Sequence, residues 1–125
     1  MKTIIATDKA PKAVGPYSQA VRHNDTLYLS GQIAMNPETG EFERKSVAAQ
    51  TRQCLENIKA VLAAAGATME DVLKCTISIS SMDVFEEMNG VYKEYFPQNP
   101  PARITVAVAG IYDHLDVEMD AIAGL

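Results

Sequence analysis

Arg103 is the residue whose type and position most directly suggest chemistry. It follows the run Pro100-Pro101-Ala102 and begins a segment of alternating apolar residues. Because proline fixes its own φ angle, a short Pro-rich loop can hold the planar guanidinium group in one orientation, and a guanidinium so held suits bidentate recognition of a carboxylate. The residues alone favour the alternative, a surface arginine without a ligand.

Three further candidates lie where the backbone is expected to change direction. Tyr17 follows Gly15-Pro16 and can present both an aromatic ring and a hydroxyl group. Ser30 and Gly31 follow a short apolar segment, and a glycine there allows backbone N–H groups to approach a ligand closely. The alternatives are a tyrosine at the edge of the core and an ordinary turn or bulge.

Two polar candidates lie within predicted secondary structure. Asn89 precedes Gly90 in the middle of a predicted helix, and neither residue type favours a helix interior. Glu118 shares the polar face of the last predicted strand with Asp116 and Asp120. A solvent-facing Asn89 and a solvated acidic edge around Glu118 are the alternatives.

The sequence lacks the short motifs of several enzyme classes. It contains no GxGxxG, GxxxxGK[ST], HExxH or GxSxG pattern. His23 and His114 fall in predicted loops without a second ligand at suitable spacing, and Cys54 and Cys75 are isolated, as expected for reduced thiols in the core. We therefore expect no metal site.

Composition restricts the partners and the compartment. The chain has 11 Lys and Arg against 16 Asp and Glu, a formal net charge of -5, and its basic residues are scattered. An acidic surface without a basic patch repels nucleic acid. No segment approaches the roughly 20 apolar residues of a membrane-spanning helix, and the N-terminal apolar run is too short for a secretory signal. We expect a cytoplasmic protein that binds neither nucleic acid nor membranes.

Apolar residues at three- and four-residue spacing predict two helices. The first extends from Ser46, a favourable N-cap, to Gly66, a favourable residue just after a helix. The second begins near Asp83, with Glu86 as its capping partner, and ends before Pro97. Both are amphipathic, so each is expected to pack one face on a sheet.

Alternation of apolar and polar residues predicts the strands of that sheet. Strands are expected at 26–29, leading into a glycine turn at Gly31, and at 73–80. The segments 103–109 and 115–120 are expected to form a closing hairpin. The sequence thus predicts an α+β fold in which two helices pack on one face of a mixed sheet.

The opposite face of that sheet is expected to pack against another subunit. Its predicted side chains are small and partly polar, which suits an interface better than exposure to solvent. They are Thr76, Ser78, Thr105 and Ala107. The length and even composition of residues 1–125 predict a single domain.

At the candidate positions the sequence resembles the RidA (YjgF) family, and the resemblance extends through nearly the whole chain. It is carried by the segments Ala13-Val14-Gly15-Pro16-Tyr17-Ser18-Gln19-Ala20, Leu29-Ser30-Gly31-Gln32-Ile33, Gln50-Thr51 with Leu55-Glu56-Asn57, Pro101-Ala102-Arg103, and Val117-Glu118-Met119-Asp120-Ala121-Ile122-Ala123. No single segment is specific, but together they are.

The resemblance implies a chorismate-mutase-like fold and a homotrimer with three active sites in the clefts between subunits. It also implies a 2-iminobutanoate/2-iminopropanoate deaminase, which hydrolyses 2-aminoacrylate and related reactive enamines and imines to 2-keto acids and ammonia without a metal or an organic cofactor. The alternative is a non-catalytic module that binds a keto acid. Cleavage of RNA is opposed by the acidic charge.

The resemblance also assigns roles by position. Arg103 matches the arginine that binds the substrate carboxylate, and Glu118 matches the acid that positions or activates water. Thr105 stands where many members have cysteine, and Ile104 where serine is frequent, so substrate fit is expected to differ. The remaining matched pocket positions are Tyr17, Ser30, Gly31 and Asn89.

The sequence leaves open how Arg103 and Glu118 meet. A shift of one residue in strand register moves Glu118 to the opposite face of the sheet. The two side chains can therefore converge within one subunit or only across an interface.

Overall fold

Two helices cover one face of a six-stranded sheet in the computed structural model, which describes residues 1–125. The helices are α1 (Val47–Ala64) and α2 (Phe85–Tyr95), and the strands are β1 (Thr3–Ile5), β2 (Ala20–His23), β3 (Thr26–Ile33), β4 (Val72–Ile79), β5 (Ala102–Ala107) and β6 (Val117–Gly124). The strand order is β1-β2-β3-β6-β4-β5, and only the pair β4 and β5 is parallel. The predicted mixed α+β architecture is confirmed.

Helix α1 has the termini that the sequence predicts. Ser46 has an extended backbone, and its hydroxyl oxygen accepts the N–H of Ala49 at 3.0 Å, which satisfies one of the free donors of the first turn. At the other end Gly66 adopts a left-handed φ of +79°, a conformation that favours glycine. The apolar face between these ends supplies the core residues Cys54, Leu55, Ile58, Val61 and Leu62.

Helix α2 begins differently from the prediction. A 3₁₀ turn at Met82–Val84 precedes it, and the hydroxyl of Ser81 accepts the N–H of Asp83 at 3.1 Å. The predicted capping pair of Asp83 and Glu86 is wrong, because Ser81 supplies the capping oxygen before that pair begins. The helix ends ahead of Pro97, as predicted.

The helix-facing side of β4 forms the centre of the core. Cys75, Ile77 and Ile79 are at most 1% exposed, which confirms the predicted alternation. Leu73 was expected to share this face but is 56% exposed. The reason is an irregularity in the pairing with β6 between Val72 and Lys74, which buries Val72 in its place.

The predicted hairpin between the last two strands is wrong. Strand β6 lies between β3 and β4 and is antiparallel to both, whereas β5 lies at the edge, parallel to β4. The connection from β4 through α2 is long enough to return the chain for a parallel pairing. Alternation identifies a strand, but it does not identify the strand's neighbours.

The prediction for the open face of the sheet is half right. Thr105 is the register partner of Ile77 on β4, and Ala107 is the partner of Ile79, so both face the helices and not the open side. The open side of β5 instead carries Ile104, 46% exposed, and Val106, 41% exposed. Their register partners Thr76 and Ser78 lie on the open face as expected.

Two loop predictions are also corrected. Gly31 lies inside β3, which continues to Ile33 through an irregularity between Leu29 and Gln32, so the strand does not end in a glycine turn. His23 is the last residue of β2 and pairs with Thr26, so it is not a loop residue. No helix combines the length and the apolar character needed to cross a membrane.

Candidate active site

The side chain of Arg103 is held against helix α2. Its Nη1 donates a hydrogen bond to Oδ1 of Asn89 at 2.7 Å. Its Cζ lies 4.8 Å from the centroid of the Tyr92 ring and 5.6 Å from that of Phe85. Contacts between a guanidinium and an aromatic ring stabilise by about 0.5–2 kcal/mol each, depending on solvent exposure. Arg103 is therefore oriented by three side chains and is not a freely moving surface residue.

Helical spacing explains why α2 supplies all three partners. Phe85, Asn89 and Tyr92 are four and three residues apart, so they lie on one face of the helix. Arg103 reaches that face because it is the register partner of Cys75, whose side chain points toward the helices. Asn89 is consequently turned toward β5, in contrast to the alternative of a solvent-facing residue.

Buried polar groups lie beside this arginine. The hydroxyls of Thr105 and Tyr92 are both buried without a hydrogen-bond partner. Burial raises the pKa of Tyr92 and raises the pKa of the Cys75 thiol to about 11, so both groups are neutral at ordinary pH. We call Phe85, Asn89, Tyr92, Arg103 and Thr105 the arginine cluster.

A second group of predicted residues lines a cleft of about 620 Å³. Tyr17, Ser30, Gly31 and Glu118 all contribute to its walls. The remaining walls combine the apolar residues Val14, Ile33, Met35 and Tyr112 with the polar residues Lys12, Gln19 and Gln32. We call this the glutamate cleft, because Glu118 is the one acidic residue on its walls.

Gly31 provides the space that the Glu118 carboxylate occupies. A Cβ atom at position 31 would lie 2.7 Å from Oε2 of Glu118, closer than such contacts occur. Burial, and secondly the charge of Asp120, raise the pKa of Glu118. A carboxyl group with a raised pKa can both give and accept a proton nearer to neutral pH than an ordinary glutamate.

The backbone beside Glu118 is fixed by the loop that carries Tyr17. The Ser30 hydroxyl donates to the carbonyl of Ser18 at 2.6 Å, and the Ser30 N–H donates to the carbonyl of Gln19 at 2.9 Å. The buried amide of Gln19 accepts the N–H of Thr7 at 2.7 Å and donates to the carbonyl of Pro11 at 2.7 Å. Gln19 thus ties the N-terminal loop to the irregular part of β3.

The two groups lie on opposite faces of the sheet. On β4, the register partner of Arg103 is Cys75 and the register partner of Glu118 is Ser78. These partners are an odd number of residues apart, and side chains alternate between faces along a strand. Within one chain, Arg103 therefore faces the helices while Glu118 faces the open side.

Residues 7–125 match the family model described as Endoribonuclease L-PSP. The chain belongs to the RidA (YjgF) family. A RutC family protein of Pyrococcus horikoshii is 46% identical over 123 residues, which are 98% of each chain. The human 2-iminobutanoate/2-iminopropanoate deaminase is 40% identical over 98% of this chain and 90% of its own. The crystal structure of E. coli TdcF with bound serine has a TM-score of 0.94 and 39% identity over 98% of each chain.

Sequence reasoning missed four residues that this RidA family member places around the predicted ones. Phe85 and Tyr92 belong to the apolar spacing that predicts the second helix, and their spacing from Asn89 could have identified them. Gln19 lies within a segment of the family resemblance that assigns it no role. Tyr112 lies in a loop and belongs to no motif, so the sequence held no signal for it.

Proposed function

We propose that the protein is an enamine/imine deaminase, a 2-iminobutanoate/2-iminopropanoate deaminase that converts 2-aminoacrylate and related reactive imines to 2-keto acids and ammonia. The observation that carries the proposal is the pair of incomplete sites: an oriented guanidinium on one face of the sheet and a glutamate of raised pKa on the other. One recognises a carboxylate and the other moves protons, which are the two tasks that this hydrolysis requires.

The two incomplete sites become one when subunits assemble, and we propose a homotrimer of chorismate-mutase-like fold with a site at each interface. The open face of the sheet supports assembly, because large apolar side chains are exposed there: Tyr28 at 45%, Ile104 at 46% and Val106 at 41%. Covering this face with a second copy can bring the glutamate cleft of one subunit beside the arginine cluster of the next. The family resemblance supports the same arrangement.

In the proposed reaction, Arg103 binds the substrate carboxylate while the arginine cluster fixes its orientation. The enamine first gains a proton at its β-carbon and loses one from its nitrogen, which gives the imine. Glu118 takes a proton from water as the water oxygen bonds to the imine carbon, and the nitrogen is protonated. The resulting carbinolamine loses ammonia, and its hydroxyl proton leaves as the C=O bond forms. One water is consumed, and no oxidant or reductant is needed.

The names of two relatives support this substrate class. The human relative is named for 2-iminobutanoate and 2-iminopropanoate, and TdcF was solved with serine. Serine has the three-carbon skeleton and the carboxylate of 2-aminoacrylate, so a site that holds one suits the other. Thr105 replaces the cysteine of many family members, and because water is the nucleophile, we expect it to alter substrate fit and not the chemistry.

The test is hydrolysis of 2-aminoacrylate generated in place by a serine dehydratase, with ammonia release compared against buffer. We expect acceleration by the wild type and a loss of at least about 10²-fold in kcat/KM for Arg103→Ala, since a charged hydrogen-bonding partner of the substrate is removed. Arg22→Ala is the matched control, because Arg22 is exposed on β2 and its side chain bonds only the carbonyl of Asn24.

Two outcomes would contradict the proposal. Unchanged turnover in Arg103→Ala would remove the role of that arginine. Binding of a stable keto acid that depends on Arg103, with no turnover above buffer, would instead indicate a non-catalytic binding module.

A further inference from the structure

Tyr112 lies on the wall of the glutamate cleft, yet the proposed mechanism gives it no role. It belongs to a short 3₁₀ turn, Tyr112–His114, between β5 and β6. Tyr112 is 69% exposed, more than Tyr17 or Tyr28. Its position therefore does not reflect burial in the core.

A set of contacts from another segment holds Tyr112 in place. Its ring meets the ring of Phe42 edge to face, with centroids 6.1 Å apart and an angle of 64°. The guanidinium of Arg44 lies 5.3 Å from the Phe42 centroid, pairs with the carboxylate of Asp113, and donates to the Asp113 carbonyl at 3.0 Å. Arg44 thus contacts both the Phe42 ring, which packs against Tyr112, and Asp113, which follows Tyr112 in the chain.

The backbone after Tyr112 is strained in a way that core packing does not require. Asp113 and His114 have φ angles of 56° and 59°, in the left-handed region. Aspartate tolerates this region better than most residues, but two consecutive non-glycine residues there are uncommon. Strain of this kind persists where the surroundings enforce it, often beside binding sites. Here it accompanies the placement of an exposed ring at the cleft.

We propose that Tyr112 is a specificity-determining residue, which forms an apolar wall for the side chain of the substrate. This inference rests on the proposed function. With the neighbouring walls of Val14, Ile33 and Met35, the Tyr112 ring provides more apolar surface than a methyl group can cover. Imines with a larger apolar side chain bury more of that surface on binding. The protein therefore prefers them over the three-carbon imine.

The experiment compares two imines made in place by the same amino acid oxidase, one from leucine and one from alanine. The measured quantity is the ratio of kcat/KM for the leucine-derived imine to that for the alanine-derived imine. We expect Tyr112→Ala to lower the ratio about tenfold, mainly through KM of the leucine-derived imine, as for the loss of methylene-sized contacts in an apolar pocket. Tyr112→Phe keeps the ring and should keep the ratio.

Two further variants distinguish a change in substrate specificity from a general loss of activity or stability. Arg44→Ala releases the turn and should lower the ratio in the same direction as Tyr112→Ala. Arg52→Ala removes an equally exposed ion pair, with Glu94 between the two helices, and should leave the ratio unchanged.

An equal loss for both imines in Tyr112→Ala, or an unchanged ratio, would overturn the inference while the deaminase function stands. Absence of turnover of both imines by the wild type would overturn the proposed function and this inference with it.

Discussion

Arg103 and Glu118 project from opposite faces of one sheet, because their partners on β4 are Cys75 and Ser78, three positions apart. One chain consequently cannot bring both side chains to a single small ligand. The proposed site therefore takes the arginine of one chain and the glutamate of another. This proposed dependence on two chains predicts how mixed assemblies should behave.

Two inactive variants should restore each other when their subunits are mixed. Arg103→Ala retains Glu118, and Glu118→Gln retains Arg103, so an interface between the two kinds of subunit can contain an intact pair. Random mixing in equal amounts in a cyclic oligomer makes about one interface in four intact, so we expect about a quarter of the wild-type activity. The measurement is ammonia release after the variants are refolded together.

Each variant refolded alone is the control and should stay inactive. Mixed samples no more active than the separate ones, despite forming mixed oligomers, would show that the pair acts within one chain.

Asn89 should act through Arg103. Removal of its side chain in Asn89→Ala deletes the 2.7 Å hydrogen bond to Nη1 and leaves the guanidinium to be oriented by two rings alone. A hydrogen bond to a charged group contributes about 1.5–3 kcal/mol, so we expect KM to rise roughly tenfold or more, with a smaller change in kcat. Lys93→Ala, an exposed change on the same helix, is the control. A fall in kcat with unchanged KM would contradict this role.

Gly31→Ala should lower activity without unfolding the protein. The added methyl group would lie 2.7 Å from Oε2 of Glu118, and the carboxylate, at the end of a flexible chain, moves away. Loss of general acid-base catalysis by a displaced carboxyl group predicts a decrease in kcat of about 10²-fold.

The control for that substitution is Gly90→Ala, because nothing lies within 4 Å of a Cβ atom at position 90. Alanine there should raise stability by about 0.5–1 kcal/mol, as in other helix interiors, and leave kcat unchanged. Equal activity in the two variants would show that the space at Gly31 is not required.

The raised pKa of Glu118 predicts a dependence of stability on pH. A carboxyl group whose pKa is higher in the folded state binds its proton more tightly there, so its contribution to stability is complete at low pH and is lost as pH rises through the folded-state pKa. Glu118→Gln removes this loss. The melting temperature of the variant minus that of the wild type should therefore increase from about pH 4 to about pH 8. A difference that decreases over this range would contradict the burial of Glu118.

Local patterns predicted the parts of the fold that depend on neighbouring residues in sequence. The ends of α1 at Ser46 and Gly66 are examples, since a cap hydroxyl and a left-handed glycine act within one turn. The buried alternation of Cys75, Ile77 and Ile79 is another. Each of these signals is complete within a segment shorter than about 20 residues.

Those local patterns could not predict which strands pair with each other across long distances in the sequence. Nothing within 115–120 indicates that β6 inserts between β3 and β4, because every strand offers the same backbone donors and acceptors. The faces of Thr105 and Glu118 depend on that pairing, and so does the division of the site into two groups. Tyr112 was missed for a similar reason, since its contacts come from residues about seventy positions away.

The turn that carries Tyr112 is held by contacts with Arg44 and Phe42. The turn and both of these residues lie outside β5 and β6, the strands that carry Arg103 and Glu118. A change at this turn can reshape one wall of the cleft while the hydrogen bonds of the sheet remain as they are. With the proposed roles of Tyr112 and Glu118, the range of accepted substrates and the proton chemistry become separable traits in evolution. A duplicated gene can therefore acquire a new preference through one loop, without a period in which catalysis is lost.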